Sequence, residues 1–168
     1  MQTKTYNIYT LDELDEKAKE KAREWFRVGN DYPFLHEDLT EKASELLKDA
    51  KIKADDIKVY YSLDYCQGDG AMIEMSGTWG KFNFKVKQSG HYYHYNSKNI
   101  ELWDESGELS LDADEKDYNQ FNDLYVSICQ KLADYGYKHI ENEDADEQVD
   151  ETITINEYTF LADGTRHD

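Results

Sequence analysis

The chain of 168 residues has one proline, two cysteines and only 19 lysines and arginines against 37 aspartates and glutamates. It has no run of the roughly 18 apolar residues that a membrane-spanning helix requires. Its start, MQTKTYNIYT, lacks the apolar stretch of a secretory signal. Cys66 and Cys129 make no disulfide framework, so a reducing cytoplasm is the expected compartment. The single proline, Pro33, leaves no proline-rich linker, and there is no internal repeat or low-complexity segment to mark a boundary. The shortage of bases sets the formal net charge at −18. That field repels phosphates and argues against nucleic acid or an anionic membrane as a direct partner. What is present is a content of 39% hydrophobic and 14% aromatic residues, including 14 tyrosines, too rich for a disordered acidic tail. The length suits one domain with a real core.

The charge is unevenly spread. Residues 1–50 hold 12 acids and 8 bases, residues 51–103 hold 6 and 7, and residues 104–168 hold 19 and 4. The excess is concentrated between Asp104 and Asp117, with seven acids, and between Glu141 and Glu151, with seven more. One reading is a solvated face that keeps the protein soluble. A sharper one is a surface complementary to a basic groove built to hold nucleic acid. Asp104, Glu105, Glu108, Glu141, Glu143, Asp144, Asp146 and Glu147 are then the candidate partner contacts. A calcium surface lacks its loop pattern here.

Periodicity predicts an α+β fold. Tyr6 and Ile8 alternate with polar residues as a short first strand. Thr10 and Glu13 have capping-box spacing ahead of a helix whose apolar face is Leu14, Ala18, Ala22, Trp25 and Phe26. Gly29 and Pro33 mark its end, and Leu35, Leu39, Ala43, Leu46 and Leu47 mark a second helix over 34–50, so that the two form an αα-hairpin. The period then changes to two. Ile57 to Tyr65, Ala71 to Met75, Phe82 to Val86 and Ile100 to Trp103 read as an antiparallel meander, with Gln67–Gly70 as its first turn. Asp112, Asp114 and Glu115 open a third, long helix with a stripe from Tyr118 to Tyr135, closed by Gly136. Short alternating runs at 137–140, 152–155 and 158–161 follow, with 141–151 as a loop or charged edge strand and Asp163-Gly164 as a late turn. The whole reads as a single acidic domain over 1–168: a strand plus helical hairpin to 50, the sheet over 51–103, and an acidic helix with final strands over 104–168.

Chemistry-bearing residues gather at two sheet connections. Asp64 and Cys66 share a strand face ahead of Asp69 in the glycine turn, and His91 and His94 lie in GHYYHY after the third strand. Cys66, Asp69, His91 and His94 are a chemically reasonable zinc set. His91 and His94 converge on one ion only if their segment bends, because a strand would point them to opposite faces. The plainer reading is packing among Tyr92, Tyr93 and Tyr95. Cys66, His91 and Asp69 as nucleophile, base and orienter lack a helix N-terminus to activate the thiol. Cys129 falls in the core stripe of the third helix.

The segments YTLDELDEKAKEKAREWF, VYYSLDYCQGDGAMIEM, KVKQSGHYYHY and LADYGYKHIENED resemble a family of small acidic proteins encoded by bacteriophages and mobile elements, labelled as antitoxins of toxin–antitoxin systems. The resemblance spans roughly residues 5–165, with YCQGDG and GHYYHY its most specific parts. It implies a phage or prophage setting inside a bacterial cell. It further implies an inhibitor of the anti-CRISPR type, directed at an effector nuclease through an acidic surface, with any zinc structural. The alternatives are an antitoxin that neutralises a basic toxin and a small zinc-dependent enzyme using the Cys/His cluster.

Overall fold

Alternating apolar residues in the middle of the chain become a four-stranded antiparallel sheet, ordered β1 (Ile52–Ser62), β2 (Gly70–Trp79), β3 (Phe82–Gln88) and β4 (Lys98–Trp103). Around it in sequence lie α1 (Glu16–Gly29), α2 (Leu35–Asp49), α3 (Glu115–Asp144) and α4 (Asp146–Ile155), with a small ribbon of β5 (Thr159–Phe160) and β6 (Arg166–His167). The computed structural model describes residues 4–104 and 115–167. The α+β class is therefore as the sequence predicts, with two N-terminal helices, a meander and a long third helix. Among the described residues no helix is long and apolar enough to cross a membrane.

Contacts divide the chain into two compact units, Met1–Pro33 with His139–Asp168, and Phe34–Lys138. The first contains α1 and α4. Its core is Leu11, Leu14, Ala18, Ala22, Val149, Ile153 and Phe160. The capping-box residues are at work, with the Glu13 carboxylate accepting the Thr10 N–H at 2.8 Å. They close a 3-10 turn over Leu11–Glu13 rather than the α-helix. The helix proper is capped by Asp15, which accepts the Ala18 N–H at 2.8 Å. The predicted first strand shrinks to one bridge between Tyr9 and Phe160. Tyr6 and Ile8 stay exposed, so their alternation has no core to face.

The largest correction also lies in this unit. Residues 137–155 are neither a loop nor strands, because α3 runs to Asp144 and α4 follows after Ala145. Val149 and Ile153, four apart, are fully buried, and that helical spacing decides the conformation. The β-branched run Thr152–Ile155 looks like a strand, but burial overrides a weak propensity.

The second unit packs α2 beside β1 and lays α3 against the sheet's apolar face. Phe84 and Trp79 meet Phe121 with ring centroids 4.9 and 5.3 Å apart. The predicted start of α3 at Asp112 and Asp114 lies outside the described residues. Gly136 does not end α3. It sits in mid-helix, where a Cβ would run into Leu63 and come within 3.3 Å of Leu39. Close packing, not chain reversal, is its purpose, at a helix-propensity cost of about 1 kcal/mol.

Tyr125 of α3 is fully buried. Its hydroxyl accepts the Ile73 N–H at 3.0 Å and donates to the Ile73 carbonyl at 3.1 Å. The β2–β3 register begins at Met75, so the tyrosine completes the ladder where the strand partner stops. Burial also pushes the neighbouring Cys129 thiol up to about 12, which makes it an inert core residue. Replacing Tyr125→Phe leaves two buried backbone groups unpaired and is expected to cost about 1–3 kcal/mol. Urea unfolding would show this as a lower midpoint at unchanged slope.

Candidate functional site

The acidic segment 141–151 folds as the end of α3 and most of α4, and α1 supplies its counter-charges. Arg23 grips Asp150 with two bonds of 2.7 Å, from Nε to Oδ1 and from Nη2 to Oδ2. That bidentate hydrogen bonding raises the pKa of Arg23 further, despite desolvation. Arg27 pairs with Asp146 and donates from Nε to the Asp144 carbonyl at 3.0 Å. The Asp144 side chain accepts from the Tyr32 hydroxyl at 2.8 Å. Glu143 is held by Asn30 at 3.2 Å and by His139 at 2.7 Å. Glu143, Asp144 and Asp146, all predicted partner contacts, are thus engaged within the fold.

Glu141, Glu147 and Glu151 differ. All three are exposed, and none makes a hydrogen bond or ion pair among the described residues. Glu141 and Glu147 are predicted contacts, while Glu151 is one the contact set omits. A helical reading of 146–155 would have found it, because Glu147 and Glu151 are four apart and share a face. Local physics gives these positions little support beyond the dipole at the start of α4, which favours Glu147 in the first turn. Glu141 sits in the last turn of α3, at the negative end of the helix dipole. The Glu147/Glu151 like-charge pair costs a few tenths of a kcal/mol. Asp104 follows β4 and is half-buried. Glu105 and Glu108 lie outside the described residues.

The second candidate is the pair of loops after β1 and β3. Asp69 organises the first. Its carboxylate accepts the Cys66 N–H at 2.8 Å, the Tyr137 hydroxyl at 2.8 Å and the Ser62 hydroxyl at 3.0 Å. Desolvation pushes its pKa up, but these bonds together outweigh it and hold the carboxyl below its ordinary value. The second loop folds back onto the first. Gly70 lies under the His94 ring, where a Cβ would fall 2.7 Å from Cδ2, and a Cβ at Gly68 would meet Tyr92 at 3.5 Å. Gly70 of the YCQGDG segment therefore leaves room for the His94 ring, whereas Gly68 meets Tyr92 at an ordinary contact distance and is needed for its backbone φ of 92°.

This brings Asp69, Cys66 and His94 into neighbouring loops without gathering them as ligands. Cys66 and His91 are exposed. His94 is half-buried, and its Nδ1 accepts the Asn96 N–H at 3.1 Å. Burial first, then Lys98, lowers its pKa. Among the described residues no three His, Cys, Asp or Glu side chains are grouped to hold a metal ion. The residues the sequence reading passes over are Tyr137 and Ser62, which saturate Asp69. Ser62 is only seven residues from Asp69, at the end of β1, whereas Tyr137 is 68 residues away and leaves no local pattern.

No protein-family model matches the chain, and neither a curated protein nor a solved structure matches it.

Asp69→Asn removes charge from three hydrogen bonds and is expected to loosen both loops, costing about 1–3 kcal/mol. Because the carboxyl pKa is depressed in the fold, its stabilisation is complete above about pH 3.9, the ordinary value. It is lost as pH falls through the depressed value. Hydrogen exchange at residues 64–69 measured across that range checks both, and an acid response identical in Asp69→Asn contradicts the assignment.

Proposed function

We propose that the protein is a non-enzymatic inhibitor that covers a basic, nucleic-acid-holding groove of a partner with its acidic helical surface. One observation carries this reading: Glu141, Glu147 and Glu151 stand exposed with no ion-pair partner among the described residues, while Arg23 and Arg27 of α1 pair with Asp150 and Asp146 beside them. None of the three is tied to another part of the fold, and the dipole of α3 opposes Glu141 while Glu147 and Glu151 repel each other, which supports an external use. Carboxylates presented on two helices suit lysines and arginines that otherwise hold phosphates, and such charge speeds association and makes it salt-sensitive. The resemblance to phage-encoded acidic proteins points to a bacterial CRISPR effector nuclease as the target. An antitoxin covering a basic toxin would use the same surface.

The test is displacement of DNA from a purified effector nuclease, followed by mobility shift in low and high salt. The protein is expected to compete at low salt and fade as salt rises. Reversing three charges, with Glu141→Lys, Glu147→Lys and Glu151→Lys, should weaken competition by tenfold or more. Undiminished competition by the reversed protein rejects the surface, and no competition by the unmodified protein rejects the nuclease as target.

A further inference from the structure

The loops joining β1 to β2 and β3 to β4 carry a feature that acidic steering does not use. Tyr65, Tyr92 and Tyr93 are 66%, 65% and 42% exposed, large rings that face water. They are nevertheless held in place. The Tyr65 ring rests on Tyr137 at 4.8 Å, and Tyr93 stacks on Tyr60 at 5.4 Å with 24° between planes. Tyr92 lies over Gly68. Tyr65 also adopts a left-handed backbone, φ 58°, a conformation costing a non-glycine residue roughly 1 kcal/mol or more. Asp69 clamps that turn from beneath. Strain and packing are combined to present rings outward.

Charge selects what these rings would meet. Residues 59–80 and 88–97 contain no lysine or arginine, and Asp64 is exposed beside Tyr65. Aromatic faces next to a carboxylate attract a guanidinium, which stacks flat on a ring and hydrogen-bonds at its edge. Lysine offers only a hydrated point charge. Fixed tyrosines supply contact area at little entropic cost, the property that makes them interface anchors.

We propose that the two loops, residues 63–69 and 89–97, form a pre-organised docking surface for an arginine-bearing protein surface, anchored by Tyr65, Tyr92 and Tyr93. It deepens the inhibitor reading and rests on it for the basic character of the partner: the acidic helices set the rate of encounter and the tyrosines hold what arrives.

The experiment uses the full chain with oligo-arginine and oligo-lysine peptides of equal length, read by fluorescence anisotropy and by the aromatic NMR signals of the loops. At high salt, where the Debye length falls to about 3 Å, oligo-arginine is expected to stay bound and shift the loop tyrosines while oligo-lysine is released. Tyr65→Ala, Tyr92→Ala and Tyr93→Ala together should weaken the salt-resistant binding about tenfold or more. The matching phenylalanine variant, with its rings intact, should retain it and serves as the control for folding. The Glu141→Lys, Glu147→Lys, Glu151→Lys protein separates the two readings. If it keeps its low-salt binding to oligo-lysine while the loop effects persist, the acidic-surface reading fails and the docking surface is supported. Unmoved loop signals, an alanine variant that binds as well as the parent, or oligothymidylate shifting the same tyrosines would each overturn the proposal.

Discussion

Repulsion among carboxylates is the constraint on which the first compact unit turns. Seven acids in eleven residues would keep 141–151 extended in water, yet the segment is helical. Two things reverse the balance. Val149 and Ile153 bury completely, and Arg23 and Arg27 reach from α1 to Asp150, Asp146 and the Asp144 carbonyl. The guanidiniums are mostly shielded while their partners are more exposed. The gain therefore lies in two-pronged geometry and in filling the end of α3, more than in bare Coulomb attraction. Once these acids are neutralised within the fold, the remaining ones stand out as surplus.

The second unit meets a different constraint, the need to satisfy polar groups where regular pairing stops. Tyr125 does so at the edge of the β2–β3 ladder, and Asp69 does so in the turn after β1. Each is a single side chain answering several backbone or hydroxyl groups, so each holds far more structure than its own contacts. The Asp69 hydrogen bonds and the rings packed over Gly68 and Gly70 tie the two loops to each other and to β1 and α3. Loops tied down in this way, bearing exposed tyrosines and no lysine or arginine, differ physically from an untethered, solvated connection. Charge on the helices and aromatic surface on the loops are thus separate devices, built from separate parts of the sequence.

Much of this was legible in one dimension. Alternation between Ile57 and Trp103 marks all four strands, because half-buried strands have a period of two. However, β1 runs from Ile52 to Ser62 and leaves Asp64 and Cys66 in the turn after it rather than on a strand face. The stripes of α2 and α3 follow as directly from the spacing of Leu39, Ala43 and Leu47 and of Phe121, Tyr125 and Ile128. The acidic tail was legible as charge but not as structure. Its helix is specified by two buried residues, Val149 and Ile153, whose core partners Leu14 and Ala18 lie more than a hundred positions away. Gly136 misleads for the same reason: a stop signal and a contact point look alike until Leu39 and Leu63 arrive beside it.

The sequence by itself determined the class of fold, the sign and location of the charge, and the two loops where unusual chemistry gathers. These depend on composition and on periods of a few residues. Only the tertiary structure decided which acids are counter-charged and which are left over, and whether the cysteine and histidines share a site or merely neighbouring loops. It also decided that Tyr65, Tyr92 and Tyr93 face water. Those outcomes depend on which distant side chain fills a given space, and no local pattern carries that information.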